Sequence, residues 1–268
     1  MTASAGVLGA LRARVAAIET SSKPGRVLPL GDPRLDLSLP GGGLPLGRWH
    51  ELLGEGLEAE DPAAVTGFAA RLAAALAAGD GDTGGGETVW VLRRDDLYAP
   101  GLASLGLDPA RLLFVAVRRD AEALAAAEDA LRATGIAAVA AEVETLDLTA
   151  GRRLQLACER TGATGLILRR RRALRAGGKS PERAPERAEA TAAATRWRIA
   201  PAPSQPEQPG FTGLGPPRWR VELERCRGGR PGAWIVEAGD GPHPLRVVAE
   251  LADHELPATT PARRVARG

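Results

Sequence analysis

Short apolar segments alternate with helical segments through the middle of the chain, and this alternation constrains the fold more than any other feature. Compact apolar segments typical of strands occupy residues 48–53, 88–92, 112–117, 136–143 and 165–168. Helical patterns occupy residues 62–78, the surroundings of Leu102, residues 120–134 with Asp120 as the expected N-cap, and residues 149–161. Because strands that are apolar throughout bury both of their faces, the sequence predicts an α/β fold with a mainly parallel central sheet covered by helices on both faces.

The last third of the chain changes character. Residues 196–199 are strand-like, and residues 218–224 alternate between apolar and charged side chains. Residues 233–238 can pair with this segment across a Gly-rich turn, so an antiparallel hairpin is predicted at the C-terminal edge of the sheet. Trp219 and Trp234 are interpreted as core residues, because large apolar side chains in strands usually pack inward. An exposed aromatic anchor for a partner is the alternative.

Composition along the chain predicts how it is organised. Residues 1–25 are expected to form an amphipathic N-terminal helix and a linker. One large α/β domain is expected over residues 26–254, with flexible insertions near 176–194 and 201–217, where Ala, Arg, Glu, Pro and Gly predominate. Residues 255–268 are expected to be a disordered tail.

Charge and cysteine usage exclude several classes of function. The 35 basic and 33 acidic residues nearly balance, so the net charge of +2 does not by itself indicate nucleic acid. The two cysteines and three histidines are scattered, and neither a metal site nor a disulfide framework is predicted. Arg12 and Arg14 interrupt the region where a signal peptide would be hydrophobic, and no segment has the ~20 apolar residues that span a bilayer. The expected location is the cytoplasm.

Two segments carry a resemblance to a known fold. Residues 35–54 (LDLSLPGGGLPLGRWHELLG) resemble the Gly-rich turn and strand that lead into the phosphate loop of the RecA ATPase core. Residues 95–108 (DDLYAPGLASLGLD) resemble the helix that follows the next RecA strand. The resemblance covers roughly residues 28–250 and implies a RecA-like domain, although only the first segment is specific. Gly- and Pro-rich turns precede strands in many folds, and that is the alternative interpretation.

The phosphate loop itself is degenerate. Such a loop has the pattern GxxxxGK[ST], in which backbone N–H groups and a lysine hold the phosphates and a hydroxyl group binds magnesium. When Gly54 is taken as the first glycine, Ala59, Glu60 and Asp61 occupy the positions of the second glycine, the lysine and the hydroxyl residue. Starting from Gly56 instead also leaves the lysine position without a lysine.

The replacement residues oppose nucleotide binding as well as failing to support it. A helix N-terminus attracts anions, and Asp61 is placed as N-cap with Pro62 at the first helical position, so a carboxylate of the chain itself would occupy that pole. No cofactor and no catalytic residue is therefore predicted. Asp95, Glu142 and Glu144 lie near positions that carry catalytic or magnesium-associated groups in RecA-type ATPases. They are interpreted as remnants or solvated loop charges.

A RecA-like core without a phosphate loop, in a chain of this size, resembles the ImuA family of bacterial DNA-damage (SOS) proteins. The resemblance implies a non-catalytic adaptor in induced mutagenesis and translesion synthesis. Its implied partners are ImuB, an error-prone replicative-type DNA polymerase and RecA itself. Two other functions stay open at this point: a RecA-superfamily ATPase with an unconventional nucleotide site, and an SOS cell-division inhibitor that resembles SulA.

Arginines follow three of the predicted strands, at the edge where parallel sheets bind their ligands. The candidate residues for DNA or partner binding are Arg93, Arg94, Arg118, Arg119, Arg169, Arg170, Arg171 and Arg172. One interpretation is weak, salt-sensitive contact with single-stranded DNA. The other is a solvated or partner-binding edge whose arginines pair with nearby acids such as Asp95, Asp96 and Asp120.

Overall fold

Nine strands of the described chain join into a single sheet. The computed structural model describes residues 25–54, 62–79, 85–170, 191–206, 213–239 and 243–251. The strands of the sheet are β3 (Trp49–Gly54), β4 (Glu87–Leu92), β5 (Leu112–Ala116), β6 (Ile136–Val143), β7 (Thr164–Arg169), β8 (Thr195–Ala202), β9 (Arg218–Cys226), β10 (Gly232–Ala238) and β11 (Leu245–Leu251). Their spatial order is β11-β10-β9-β8-β3-β7-β6-β4-β5.

The sheet is parallel at one end and antiparallel at the other. The six strands from β8 to β5 in the spatial order run parallel, and β9, β10 and β11 then continue the sheet by antiparallel pairing. The predicted α/β fold, with its parallel centre and an antiparallel hairpin at the C-terminal edge, is confirmed. The prediction missed β11, which extends that hairpin by one strand.

Helices cover both faces of the parallel part, as predicted. They are α1 (Pro33–Asp36), α2 (Pro62–Ala78), α3 (Ala99–Ser104), α4 (Asp120–Arg132) and α5 (Leu148–Thr161), with a 3-10 turn at Pro109–Arg111. Residues of α2 and α3 belong to one hydrophobic core, and residues of α4 and α5 belong to a second core across the sheet. Within the described residues, no helix is long and apolar enough to cross a membrane.

Helix α2 is the central element of the first core. Nearly every side chain described in it is buried, which is typical of a helix that is apolar all round. Phe68 projects from α2 onto Trp197 and Trp219, with ring centroids 6.1 and 5.9 Å away. Trp219 and Trp234 are 3% and 1% exposed, so their interpretation as core residues is confirmed.

The Gly-rich segment before β3 forms a second, two-stranded sheet. Val27–Leu28 (β1) pairs antiparallel with Leu44–Pro45 (β2). Gly41 and Gly42 have φ of 77° and 79°, a region that side chains with a Cβ rarely adopt. A Cβ on Gly43 would lie 2.6 Å from the carbonyl oxygen of Leu28, so the pairing of β1 with β2 requires glycine there. The prediction did not include this small sheet.

The predicted role of Asp120 is wrong. Helix α4 begins at Asp120, and Arg119 is its N-cap residue. The Asp120 carboxylate instead accepts hydrogen bonds from the backbone N–H groups of Glu144 and Thr145, each at 2.9 Å. It therefore anchors the loop after β6, and this tertiary role displaced the local capping preference.

A buried histidine links β2, β3 and β8. The side chain of His50 has no exposed surface, and its Nε2 lies 2.9 Å from the carbonyl oxygen of Pro45. Because a carbonyl can only accept, Nε2 carries the proton and Nδ1 accepts from the hydroxyl of Thr195 at 2.7 Å. That hydroxyl in turn accepts from Trp197 Nε1 at 2.8 Å. Burial lowers the pKa of His50 to about 4, which keeps the ring neutral.

Protonation of His50 is expected to destabilise the protein in mild acid. Because its pKa falls from 6.5 to about 4 on folding, the unfolded chain binds more protons in that range. The free energy of unfolding should fall by about 2–3 kcal/mol from this group between about pH 7 and about pH 4.5. Urea titrations at both pH values should show a smaller loss for His50→Asn than for the wild type. The exposed-residue control His243→Gln should keep the wild-type loss, and an unchanged loss in His50→Asn would contradict the prediction.

Candidate functional site at the carboxyl edge of the parallel strands

The carboxyl ends of the parallel strands bring three of the candidate arginines, Arg93, Arg169 and Arg170, close to buried carboxylates. Arg93 and Arg94 follow β4, Arg169 ends β7, and Arg170 comes directly after it. Since β7, β6 and β4 are neighbours in the sheet, these residues share one rim, as predicted. Arg118 and Arg119 follow β5 at the outer edge of the sheet, and Arg171 and Arg172 lie outside the described residues.

The first group, called here the Glu51 cluster, consists of Glu51, Arg169 and Arg196. Glu51 lies in the middle of β3 and has no exposed surface. Arg169 Nη1 lies 2.7 Å from one oxygen of its carboxylate, and Arg196 Nε lies 2.9 Å from the other. In the sheet register Arg196 is directly opposite Glu51 on β8, and Arg169 is two residues beyond its opposite position on β7. All three side chains therefore lie on the same face of the sheet as Trp49, the face of the second core.

The second group, called here the Glu142 cluster, consists of Glu142, Arg170, Asp96 and Thr66. Glu142 lies in β6 and is also fully buried. Arg170 Nη2 lies 3.0 Å from its carboxylate and 3.2 Å from the Thr66 hydroxyl of α2. Arg170 Nη1 lies 2.8 Å from the carboxylate of Asp96, in the loop after β4. One guanidinium group therefore joins β6, the β4 loop and α2, on the face opposite the Glu51 cluster.

Glu142 is not a solvated loop charge, so that part of its interpretation is wrong. Its side chain points from β6 towards α2, and the backbone N–H of Arg93 donates to it at 3.3 Å. Burial raises the pKa of Glu142, and the positive charge of Arg170 opposes that rise. The contact with Arg170 is an ion pair without an aligned hydrogen bond, because Glu142 Oε1 has no hydrogen-bond donor. The carboxylate is thus neutralised by a guanidinium group inside the fold.

Arg93 makes a further set of ion pairs at the rim. Its Nη1 lies 2.8 Å from Asp120 and 3.5 Å from Glu144. Burial alone would raise the pKa of Asp120, but hydrogen bonds from Glu144 and Thr145 and the charge of Arg93 hold it below its usual value. Glu144, which the sequence analysis interpreted in the same way as Glu142, is therefore a partly buried ion-pair partner of Arg93.

The remaining described arginines of the prediction are more accessible. The side chains of Arg94, Arg118 and Arg119 are exposed. Arg119 pairs with Glu122 one turn into α4, and Arg94 also has an interaction partner. Pairs of this exposed kind contribute little to stability, so these guanidinium groups can exchange partners at low cost.

Sequence reasoning missed Glu51 and Arg196. Glu51 is a charged residue inside an otherwise apolar strand, and a fully buried carboxylate needs a cationic partner. That signal could have flagged it. Identifying Arg169 and Arg196 as the partners required the strand order, which places β3 between β7 and β8.

The site holds its buried carboxylates in ion pairs. Its buried carboxylates each face at least one guanidinium group, so neither is available as a general base or a cation ligand. Among the described residues no group of three or more His, Cys, Asp and Glu side chains could hold a metal ion. Residues 55–61, which include Ala59, Glu60 and Asp61 of the predicted degenerate phosphate loop, lie outside the described residues.

Relatives of the chain place it in a family. No protein-family model matches it. It is 55% identical over 245 residues to "Protein ImuA" of Caulobacter vibrioides, in two strains of that bacterium, and the match covers 90% of this chain and 96% of the relative. The chain belongs to the ImuA family.

Two solved structures are distantly similar to this ImuA-family chain. SulA from Pseudomonas aeruginosa is 23% identical with a TM-score of 0.38, and the match covers 45% of this chain and 96% of SulA. A KaiC-like protein from the archaeon Pyrococcus horikoshii is 17% identical with a TM-score of 0.49, covering 84% of this chain and all of the other (100%). The fold assignment depends on the strand order and the helices themselves.

Removing one partner of the buried pair in this ImuA-family protein is expected to be costly. Arg170→Met leaves Glu142 buried without its cation and should lower the free energy of unfolding by about 3–5 kcal/mol. Arg170→Met combined with Glu142→Leu should recover most of that loss, because no buried charge is then left unpaired and Asp96, which also loses Arg170, is partly exposed. The control Arg119→Ala, at an exposed pair, should cost less than about 1 kcal/mol. Urea denaturation measures all four proteins, and a single-variant loss as small as that of the control would contradict the ion-pair interpretation.

Proposed function

We propose that this chain is a non-catalytic RecA-like accessory factor in DNA-damage-induced mutagenesis. Its membership of the ImuA family supports a role in the mutagenic response to DNA damage. Within that role, it acts as an adaptor in translesion synthesis for ImuB, an error-prone replicative-type DNA polymerase and RecA. The protein performs this role without turnover of its own.

The observation that best supports a non-catalytic role is the position of Arg170. In an open parallel sheet, a nucleotide binds at the carboxyl edge, with its phosphates at the N-terminus of a following helix and its magnesium ion on a carboxylate. In this chain, Arg170 bridges Glu142 at that edge and Thr66 near the start of α2. A magnesium nucleotide would have to displace the guanidinium group of Arg170, which is only 10% exposed. The displacement would separate Arg170 from the buried carboxylate of Glu142, which is energetically costly.

The sequence of the loop before α2 also supports the absence of a nucleotide site. Residues 54–62 contain no lysine, and four carboxylates lie between them at positions 55, 58, 60 and 61. Helix α2 begins at Pro62, directly after this acidic segment in the sequence. The local charge therefore repels a triphosphate where a functional loop would attract one.

Calorimetry with ATP and magnesium tests the absence of a nucleotide site. The expected result is no heat of binding, that is, a Kd weaker than about 1 mM. A Kd in the micromolar range, together with magnesium-dependent hydrolysis, would favour the ATPase alternative and overturn the adaptor proposal. Glu60→Arg serves as the matched control, because a charge change in the loop would alter any binding that uses the loop and leave adventitious binding unchanged.

The partner assignment is tested with purified components. Immobilised ImuA-family chain should retain purified ImuB at low salt and at moderate salt, and should retain the error-prone polymerase directly or through ImuB. A tubulin-like division protein serves as the negative control. Retention of that protein instead of ImuB would support the SulA-like alternative and remove the translesion proposal. In a Caulobacter vibrioides strain that lacks its own ImuA, the chain should restore damage-induced mutation, and failure to do so would count against it.

Any contact with single-stranded DNA is proposed to be weak and to use the exposed arginines of the rim. Arg169 and Arg170 are held by buried carboxylates, so their charges are already compensated. Arg94 and Arg118 are exposed, and Arg171 and Arg172 continue the chain beyond β7.

Fluorescence anisotropy with a labelled oligothymidine tests the DNA contact. The combined variant Arg94→Glu and Arg118→Glu should weaken binding at low salt several-fold and reduce its salt dependence, because each lost phosphate contact lowers the slope by about one. The control Arg160→Glu, at the exposed C-terminal end of α5, should bind like the wild type. The double variant changes the net charge twice as much as the control. If Arg160→Glu changed log Kd by half as much as the double variant, only net charge would matter and the rim would not be the binding surface.

A further inference from the structure

The two edge strands of the nine-stranded sheet, β11 and β5, differ in how far other residues cover them. At the β11 edge, Arg34 donates to the carbonyl of Val247 at 2.7 Å, and the N–H of Leu245 donates to the carbonyl of Leu30 at 2.9 Å. The pairing of β10 with β11 also contains an irregularity after Ile235. Covering contacts, bulges and edge charges are the means by which proteins prevent an edge strand from pairing with another chain.

The β5 edge lacks these protections within the part of the chain that the structure describes. Strand β5 pairs only with β4, and its five residues (LLFVA) are all apolar. Leu113 is 53% exposed and Phe114 is 45% exposed. Since neighbouring residues of a strand point to opposite faces, apolar surface is open on both sides of this edge. An exposed apolar edge strand of this kind is a site for pairing with a further strand.

The backbone of β5 directs hydrogen-bonding groups outward, and no described strand pairs with them. The N–H of Val117 donates to the carbonyl of Leu92 on β4 at 2.8 Å. Because successive residues of a strand direct their N–H and C=O groups to alternate sides, those of Phe114 and Ala116 point away from β4. The N–H of Leu112 is already used by the carbonyl of Pro109 in the 3-10 turn. An added strand would therefore bind mainly at Phe114 and Ala116.

Charge at the ends of β5 decides what kind of strand fits. Arg111 precedes the strand, Arg118 and Arg119 follow it, and all three are exposed. In an antiparallel pair of two β5 strands centred on Val115, with Phe114 opposite Ala116, Arg111 of each copy would lie opposite Arg119 of the other. Like charges brought together in this way oppose pairing. A strand with acidic residues at its ends would instead be attracted at both ends.

We propose that β5 is the docking site for an extended segment of a partner protein, apolar in its centre and acidic at its ends. This segment adds to the sheet as a tenth strand through main-chain hydrogen bonds. The assignment goes beyond the proposed function because it names a surface and a recognition chemistry, and it does not depend on which partner supplies the segment.

Synthetic peptides test the proposal on the full chain. The probe alternates valine and threonine and carries two glutamates at each end. One control peptide has lysines in place of the glutamates, and a second has a central proline that cannot join a strand ladder. The probe should bind at least about tenfold more tightly than either control. Amide hydrogen exchange at Phe114 and Ala116 should slow when the probe is bound.

Variants of the edge assign the binding to β5. Leu113→Lys combined with Phe114→Lys should abolish probe binding, and the control Leu156→Lys, at an exposed leucine of α5, should leave it unchanged. Arg118→Glu alone should reduce the preference for peptides with acidic ends over peptides with basic ends. Because Arg118 is exposed, this variant tests the proposal even if the double lysine variant does not fold.

Three outcomes would overturn the proposal. The first is equal binding of the three peptides, and the second is binding without protection of Phe114 and Ala116. The third is a dimer of the wild-type chain in light scattering that the double lysine variant dissociates, since this would assign the edge to a second copy. Each outcome is independent of the translesion function, because none of these measurements uses ImuB, polymerase or nucleotide.

Discussion

The carboxyl half of the sheet depends on two carboxylates that are buried in adjacent layers of the fold and neutralised by guanidinium groups. Glu51 and Glu142 have no exposed surface, and they lie on strands separated only by β7. Consecutive residues of β7 and its continuation, Arg169 and Arg170, serve opposite faces of the sheet. A buried carboxylate without such a partner would strongly oppose folding. The two arginines at the end of β7 are therefore needed for packing on both faces of the sheet.

In this protein, residues at the carboxyl edge of the parallel strands stabilise the fold. The carboxyl edge is where such sheets normally place their ligands. Here the buried carboxylates Glu51 and Glu142 are already occupied by Arg169, Arg170 and Arg196. The protein has an open α/β sheet with helix α2 at the centre of one layer, and the buried charges at the carboxyl edge are paired with each other. Such a framework is well suited to presenting surfaces and edges to other macromolecules.

Elements with strong local patterns were predicted almost to their ends. Helix α2 begins at a proline and β6 follows Gly135, so a residue that breaks regular structure marks the start of each element. Strand β11 was missed because Val248 breaks its alternation, where the pairing with β10 is irregular. Asp120 was misassigned because its true partners, Glu144 and Thr145, lie 24 and 25 residues away along the chain. The described rim arginines follow the strands to which the sequence assigned them, but their ion-pair partners depend on strand order, which local patterns do not encode.

The Glu51 cluster also determines how the chain can vary between β7 and β8. Arg169 at the end of one strand and Arg196 near the start of the next bind the two oxygens of one carboxylate, so both ends of the connection are fastened at a common point. The entropy of closing a loop grows only with the logarithm of its length, and doubling the length costs about 0.6 kcal/mol. Because both arginines bind the same carboxylate of β3, the Glu51 cluster holds the end of β7 and the start of β8 in place whatever the length of the chain that joins them.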